Sequence, residues 1–161
     1  MKYVKELETK LGRISIVEED GEIIRVLLNQ RIDKEFCNGF RSKETKILKE
    51  AAKQLEEYLD RKRKKFDLPL KLEGTDFMKK VWRALQEIPY GETRTYKQIA
   101  EMVGNPKAVR AVGMANNKNK VPIIIPCHRV IGSNGRLIGY ALGLEKKQWL
   151  LDLEKDKEEL F

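Results

Sequence analysis

The feature that most constrains the fold is a succession of helix start and stop signals in the second half of the chain. Thr75 is a good N-cap for a helix with apolar residues at helical spacing, and Pro89-Tyr90-Gly91 ends that helix. Thr95 caps a shorter helix, which Gly104 closes. These signals predict several short helices packed together rather than a sheet.

A tight turn follows the second of these helices. Asn105 and Pro106 start a further helix, predicted from Lys107 to about Asn116. Two short helices joined by a Gly-Asn-Pro turn are typical of a helix-turn-helix, which places its second helix against DNA. An ordinary helical hairpin has the same spacing, so the pattern alone leaves both interpretations open.

The first part of the chain predicts a small α/β unit. Two β-rich runs, Arg13 to Val17 and Glu22 to Leu28, are separated by Glu19-Asp20-Gly21, which is a hairpin signal. A helical pattern then runs from about Lys43 to Leu59, with Ser42 as its expected cap.

An extended connector from Asp67 to Gly74, which contains Pro69, divides the chain. We therefore expect an α+β protein with an N-terminal α/β structural domain over residues 1–70. A mostly helical domain follows over residues 74–157, and its last helix is predicted from Leu144 to about Lys157.

The charge balance is compatible with a polyanionic partner. The 161 residues include 33 Lys and Arg against 25 Asp and Glu, a formal net charge of +8. High charge density is also typical of thermophile proteins, so the surplus alone does not identify nucleic acid as the partner.

The absence of a signal region, of a membrane span and of enough metal-ligating residues leads to expectations about cellular location and metal binding. The N-terminus has no apolar signal region, and no apolar run approaches the roughly 18 to 20 residues of a membrane span. Two cysteines far apart in such a chain are expected to be reduced thiols in the cytoplasm. With a single histidine and two cysteines, we expect no metal site.

The strongest chemical signal is Pro126-Cys127-His128-Arg129-Val130, which follows the apolar run Val121 to Ile125 and holds the only histidine. A free thiol has a pKa of about 8.5 and needs a base to react well at neutral pH. An isolated cysteine is most often an inert core residue. Here Pro126 ends a predicted strand, and His128 directly follows Cys127. These two features favour the hypothesis that Cys127 is a nucleophile.

The geometry of an extended chain argues against direct contact between the side chains of Cys127 and His128. In an extended segment, adjacent side chains point to opposite faces, so either the chain turns here or a water carries the proton. The histidine would also want a carboxylate to hold its tautomer, and Glu145 and Glu154 on the last helix are both candidates.

At this point the sequence resembles the O6-alkylguanine-DNA alkyltransferases (methylated-DNA–protein-cysteine methyltransferases). The resemblance is carried by the Pro126–Val130 signature and, in matching order, by Gly91-Glu92-Thr93, Tyr96, the stretch from Gly104 to Gly113, Asn119, Ile123-Ile124-Ile125 and Gly139-Tyr140. It implies a ribonuclease-H-like N-terminal domain and a winged-helix-like C-terminal domain.

The resemblance also implies an irreversible alkyl transfer from O6 of guanine, and possibly from O4 of thymine, to Cys127. His128 would act as base through a water, and Glu154 would orient it. Asn119 would hold the active-site turn, and Tyr96 would donate a proton or hydrogen bond to N3 of the guanine. Each protein molecule would react once, without a cofactor.

Further residues match the family's substrate pocket and DNA interface. The resemblance places Val130, Tyr140, Ala141 and Lys147 around the base. It makes Arg110 the finger that fills the vacated space in the duplex, and Lys97, Asn105 and Ser133 contacts to the DNA backbone. The implied partner is double-stranded DNA containing O6-alkylguanine, bound by a monomer in the minor groove with the base flipped out.

Two residues depart from or lie outside the pattern. Leu142 is bulky where some members carry glycine, which bears on the size of the alkyl group accepted. Cys37 matches no catalytic position, and we interpret it as structural.

Three alternatives compete with this interpretation. A lesion sensor without enzymatic activity would share the helix-turn-helix but lack the reactive cysteine. A helix-turn-helix regulator would leave Cys127 and His128 unused. A cysteine hydrolase would need an oxyanion site, of which the sequence gives no sign.

Overall fold

A computed structural model describes residues 1–29, 40–135 and 143–155. These residues form two units, of which the first is Met1–Leu72 and the second begins at Glu73. Within the described ranges, no helix is long and apolar enough to cross a membrane. No three His, Cys, Asp or Glu side chains in these ranges come together as a metal site would need.

The first unit is a four-stranded sheet covered by one helix. Its strands are β1 (Lys2–Thr9), β2 (Gly12–Glu19), β3 (Glu22–Leu28) and β4 (Phe40–Ser42), in the order β3-β2-β1-β4. The first three strands are antiparallel, and β4 runs parallel to β1. Helix α1 (Lys46–Leu59) packs its buried face on the sheet, where Ile14, Ile16 and Leu48 are fully buried.

Three features of this unit differ from the sequence-based predictions. The cap of α1 is Thr45, not Ser42, because the Thr45 side chain accepts the Leu48 N–H while Ser42 ends β4. Strand β1 was not predicted at all. The connector around Pro69 also pairs with β3, since Ile23 donates to the Pro69 carbonyl and accepts from the Lys71 N–H.

The second unit is mainly helical, as predicted. It contains α2 (Asp76–Gln86), β5 (Arg94–Thr95), α3 (Tyr96–Met102), α4 (Val109–Asn117), a 3-10 turn (Cys127–Arg129), β6 (Val130–Ile131) and α5 (Leu144–Glu154). Thr75 caps α2, and Thr95 caps α3 with a full capping box, which confirms both predicted caps. The α+β class with a helical second part is confirmed.

Helices α3 and α4 pack together as the helix-turn-helix pattern predicted, but α4 begins later than expected. Ala108 donates to the Asn105 carbonyl, so residues 105–108 form a turn and the helix starts at Val109 instead of Lys107. The C-terminal end of α4 is anchored to α2, because the Trp82 indole N–H donates to the Ala115 carbonyl at 2.9 Å.

The short parallel pair β5–β6 brings the two chemically interesting segments together. Arg94 pairs with Val130 and Thr95 with Ile131. Because Tyr96 follows β5 and Cys127 precedes β6, this pairing brings the start of α3 close to the Cys-His segment.

Candidate active site

The segment before Cys127 is a compact buried turn, not the strand that its apolar sequence predicted. Ile125 donates to the Val121 carbonyl at 2.9 Å, and Ile123 has φ +75°. A β-branched residue rarely adopts this left-handed conformation, so surrounding contacts must hold it there. Asn119 supplies two of them, since its amide donates to the Ile125 carbonyl at 2.9 Å and accepts from the Val121 N–H at 3.0 Å.

Cys127 starts the 3-10 turn and is 3% exposed. Its N–H donates to the Ile125 carbonyl, and the Arg129 N–H donates to the Pro126 carbonyl. Of the two geometries left open by the sequence, the structure has the one in which the chain turns. Cys127 and His128 therefore do not lie on opposite faces of a strand.

The two residues that follow Cys127 in the turn belong to a buried cluster of polar and charged side chains built on Glu154. His128 Nε2 is 2.7 Å from Glu154 Oε2. Arg129 donates to both oxygens of this carboxylate, at 2.8 and 3.0 Å, and also to the Ile88 carbonyl at 2.7 Å. The Gly91 N–H adds a longer bond to Glu154 at 3.3 Å. The structure thus selects Glu154 over Glu145 as the partner of the histidine.

The charges of this cluster fix the role of each histidine nitrogen. Burial would raise the pKa of Glu154, but the hydrogen bonds and charges of His128 and Arg129 outweigh it and lower that pKa to about 2. Burial lowers the pKa of His128, and Glu154 offsets this only in part. Glu154 is therefore an anion facing a neutral ring. Since an anionic oxygen only accepts, Nε2 carries the proton and Nδ1 is the basic nitrogen.

These shifts predict that acid destabilises the protein in two stages. The folded pKa of His128 lies below its ordinary 6.5, so the unfolded chain binds the proton first and stability falls as pH drops through that value. Glu154 contributes stability above its ordinary 4.5, which is lost as pH falls toward 2 and amounts to about 3 kcal/mol. Urea unfolding measured at a series of pH values tests both stages.

The matched control for this measurement is Glu145→Gln on the same helix. Glu145 is exposed, so its change should leave the acid profile as it is in the unaltered protein. An unfolding free energy that stays constant from about pH 7 to pH 3 would contradict the prediction.

Tyr96 and Lys147 also lie near Cys127. The Lys147 ammonium is 5.9 Å from the centre of the Tyr96 ring, and Lys147 is fully buried. Burial lowers the pKa of Lys147 to about 8, and the nearby Cys127 opposes that shift. Burial and the charge of Cys127 raise the pKa of Tyr96. The Cys127 thiol, the Tyr96 phenol and the Lys147 ammonium are thus close enough to influence one another.

The remaining predicted site residues fall into three groups. Val130 is fully buried as the first residue of β6. The predicted DNA contacts are all exposed: Lys97 on α3, Asn105 in the following turn, Arg110 on α4 and Ser133 after β6. Tyr140 and Ala141, with Leu142 and Cys37, lie outside the described residues.

Sequence reasoning missed two buried polar residues of the site, Arg129 and Asn116. The burial of Arg129 could have been predicted from its neighbours. An arginine between a histidine and the apolar pair Val130-Ile131 has little access to solvent, so it needs a buried partner. For Asn116 no sequence signal stands out at the end of α4.

Two family descriptions match the chain almost end to end. "6-O-methylguanine DNA methyltransferase, ribonuclease-like domain" matches residues 2–72. "6-O-methylguanine DNA methyltransferase, DNA binding domain" matches residues 76–156.

Individual proteins and crystal structures that resemble this chain belong to the same family. The constitutive methylated-DNA–protein-cysteine methyltransferase of Bacillus subtilis is 51% identical over 159 residues, which is 96% of each chain. A crystal structure of Mycobacterium tuberculosis O6-methylguanine methyltransferase superposes with a TM-score of 0.87 at 36% identity, covering 100% of this chain and 99% of that one. The M. tuberculosis protein in complex with DNA gives 0.86 at 37% identity, covering 95% and 92%.

Proposed function

Because the chain belongs to the 6-O-methylguanine DNA methyltransferase family, we propose that Cys127 is the residue that receives the alkyl group. The activity is direct-reversal DNA repair, in which the protein binds DNA and transfers an alkyl group to its own cysteine. The observation that carries the assignment to Cys127 is its place next to the buried His128–Glu154 pair, with Tyr96 and Lys147 also close enough to interact with its thiol.

The reaction begins with activation of the thiol. The proton of Cys127 passes to Nδ1 of His128, directly or through a water, and the resulting imidazolium is stabilised by the Glu154 anion. The Lys147 ammonium favours the negative charge left on sulfur.

The thiolate then attacks the alkyl carbon on guanine O6. The carbon–sulfur bond forms as the carbon–oxygen bond breaks, and the electron pair moves into the purine. Tyr96 donates its hydroxyl proton or a hydrogen bond to N3, so that guanine leaves without a full negative charge. The product is a stable thioether, which nothing in this scheme reverses, so each molecule reacts once.

The target oxygen lies inside the duplex, so the base must leave the stack at a cost of a few kcal/mol. We propose that the second unit binds the minor groove through α4, with Arg110 in the space left by the base. Lys97, Asn105 and Ser133 would contact the DNA backbone, and Val130, with Tyr140 and Ala141, would line the base pocket. The first unit would serve as structural support.

We further propose that the protein acts as a monomer in the cytoplasm. The scheme needs one cysteine, kept reduced, and takes no residue from a second copy.

The direct test is incubation with a duplex oligonucleotide that carries one O6-methylguanine, followed by intact mass measurement of the protein. The expected gain is one methyl group per protein molecule, with guanine restored in the DNA. Binding without a mass gain would instead support a lesion sensor, and repeated turnover of an ester would support a hydrolase.

Arg110→Ala should slow transfer from duplex DNA by roughly 10- to 100-fold. Without the arginine, nothing fills the space that the flipped base leaves in the duplex, so the free-energy cost of base flipping rises. Transfer from the same oligonucleotide as a single strand should hardly change. Rates measured with saturating DNA under single-turnover conditions test this.

Lys107→Ala is the matched control, since it removes one exposed positive charge just before the same helix. If both variants lose the same rate on duplex and single-stranded DNA, Arg110 acts only as a phosphate contact.

A further inference from the structure

Helix α4 has an outward face of which the scheme above uses only Arg110. The buried residues of the helix, which pack inside the second unit, are Val112, Ala115 and Asn116. An α-helix has about 3.6 residues per turn, so residues four apart lie one above the other. Arg110 and Met114 therefore share a face, and because both are exposed, it is the face opposite the buried residues.

Met114 places a long apolar side chain on this outward face. It is 61% exposed, more than any other large apolar side chain in the described part of the second unit. A single exposed apolar residue is normal on a protein surface and indicates nothing by itself. Met114, however, lies one helical turn from Arg110, which is about 6 Å along the helix axis. A duplex that takes up Arg110 therefore also meets Met114.

The charges around α4 lie mainly at its two ends. Arg110 is the only charged residue within the helix, whereas the exposed Lys107 precedes the helix and the exposed Lys118 follows it. Lysines neutralise phosphates, while the sugars and base edges inside a groove also offer apolar surface. The chemistry of Met114 thus fits the inside of the groove and not the phosphate backbone.

The size of the minor groove favours contact through side chains of the outward face. A helix with its side chains is about 10 to 12 Å across, and the minor groove of B-DNA is about 6 Å wide. Unless the groove widens, only outward side chains reach into it. Methionine is long, unbranched and adaptable to irregular apolar surfaces. Apolar side chains in the minor groove, methionine among them, insert between base steps, partly unstack them and bend the duplex.

We propose that Met114 is an apolar wedge that enters the minor groove beside Arg110 and unstacks the base step next to the target guanine. Base flipping then needs less free energy, because one stacking contact of the target base has already been exchanged for contact with the protein. Arg110 occupies the space that the base leaves. This inference rests on the proposed function, since it assumes that α4 faces the minor groove and that the base flips out.

Met114→Ala should slow single-turnover transfer from saturating duplex DNA by roughly 10-fold. Transfer from the same oligonucleotide as a single strand should hardly change, because that strand has no duplex stack to open. Met114→Leu keeps an apolar side chain of similar volume and should keep most of the duplex rate. Neither change should alter thermal unfolding, since the side chain is exposed. An alanine variant as fast as the unaltered protein on duplex DNA would overturn the inference.

A fluorescent base separates unstacking from simple contact. The probe is 2-aminopurine, placed next to O6-methylguanine in the duplex, which becomes brighter when it loses its stacking neighbours. The measurement uses Cys127→Ser protein, so that binding is observed without transfer. Adding Met114→Ala should lower the rise in fluorescence on binding, and adding Met114→Leu should preserve it. If alanine leaves the fluorescence unchanged, Met114 does not unstack the duplex and the inference is wrong.

Met102→Ala provides the matched control, because it makes the same change on another exposed methionine, at the end of α3. It should retain both the duplex rate and the fluorescence signal. Equal losses for the two alanine variants would show that the position on α4 is not what matters, against the inference. Should the unaltered protein fail to gain a methyl group, the proposed function fails instead. The fluorescence measurement still tests the wedge in that case, so the two failures are distinguishable.

Discussion

Cys127→Ser is expected to abolish methyl uptake while leaving DNA binding intact. A serine hydroxyl is far less acidic than a thiol, so a neutral histidine cannot produce enough of its anion at neutral pH. The change removes little volume from a residue that is 3% exposed, so the turn should keep its shape. Intact mass after incubation with O6-methylguanine DNA measures the first effect, and a gel-shift assay on the same duplex measures the second.

The chain's other cysteine provides the control for this experiment. Cys37→Ser should still gain one methyl group per molecule. Methyl uptake by the Cys127→Ser protein, or loss of uptake by the Cys37→Ser protein, would show that the nucleophile is a residue other than Cys127.

Elements defined by local signals were predictable from the sequence. Thr75 and Thr95 each accept a hydrogen bond from a backbone N–H three residues later, and this bond depends only on the local sequence. Elements that depend on distant partners were not. Strand β1 carries Lys2, Glu6 and Glu8 among its apolar residues, and it is stabilised by pairing with β2 and β4 rather than by a clear alternation.

The same distinction holds for the candidate site. The sequence indicated that His128 needs a carboxylate but not which one, because Glu154 lies 26 residues away and only the packing of α5 brings it to 2.7 Å. The apolar run before Cys127 suggested a strand because its composition fits one. The side chain of Asn119 bends it into a turn instead, and Ile123 adopts a φ that its residue type disfavours.

The second large effect is expected from Glu154→Gln, which should impair both stability and transfer. Glutamine keeps the shape but removes the charge that pairs with the buried Arg129 and that accepts a hydrogen bond from the neutral, buried His128 ring. Removing one partner of a buried ion pair costs about 3 to 5 kcal/mol, mainly because the other charge is left uncompensated. The rate should fall about 100-fold, since the imidazolium formed on activation loses its counter-ion.

A second substitution separates the two losses. Arg129→Met combined with Glu154→Gln removes the uncompensated guanidinium, so part of the unfolding free energy in urea should return. The single-turnover rate should not return, because the histidine still lacks an anion behind it. If the rate recovers together with the stability, Glu154 serves only to hold the cluster, and the base at Cys127 must be activated in another way.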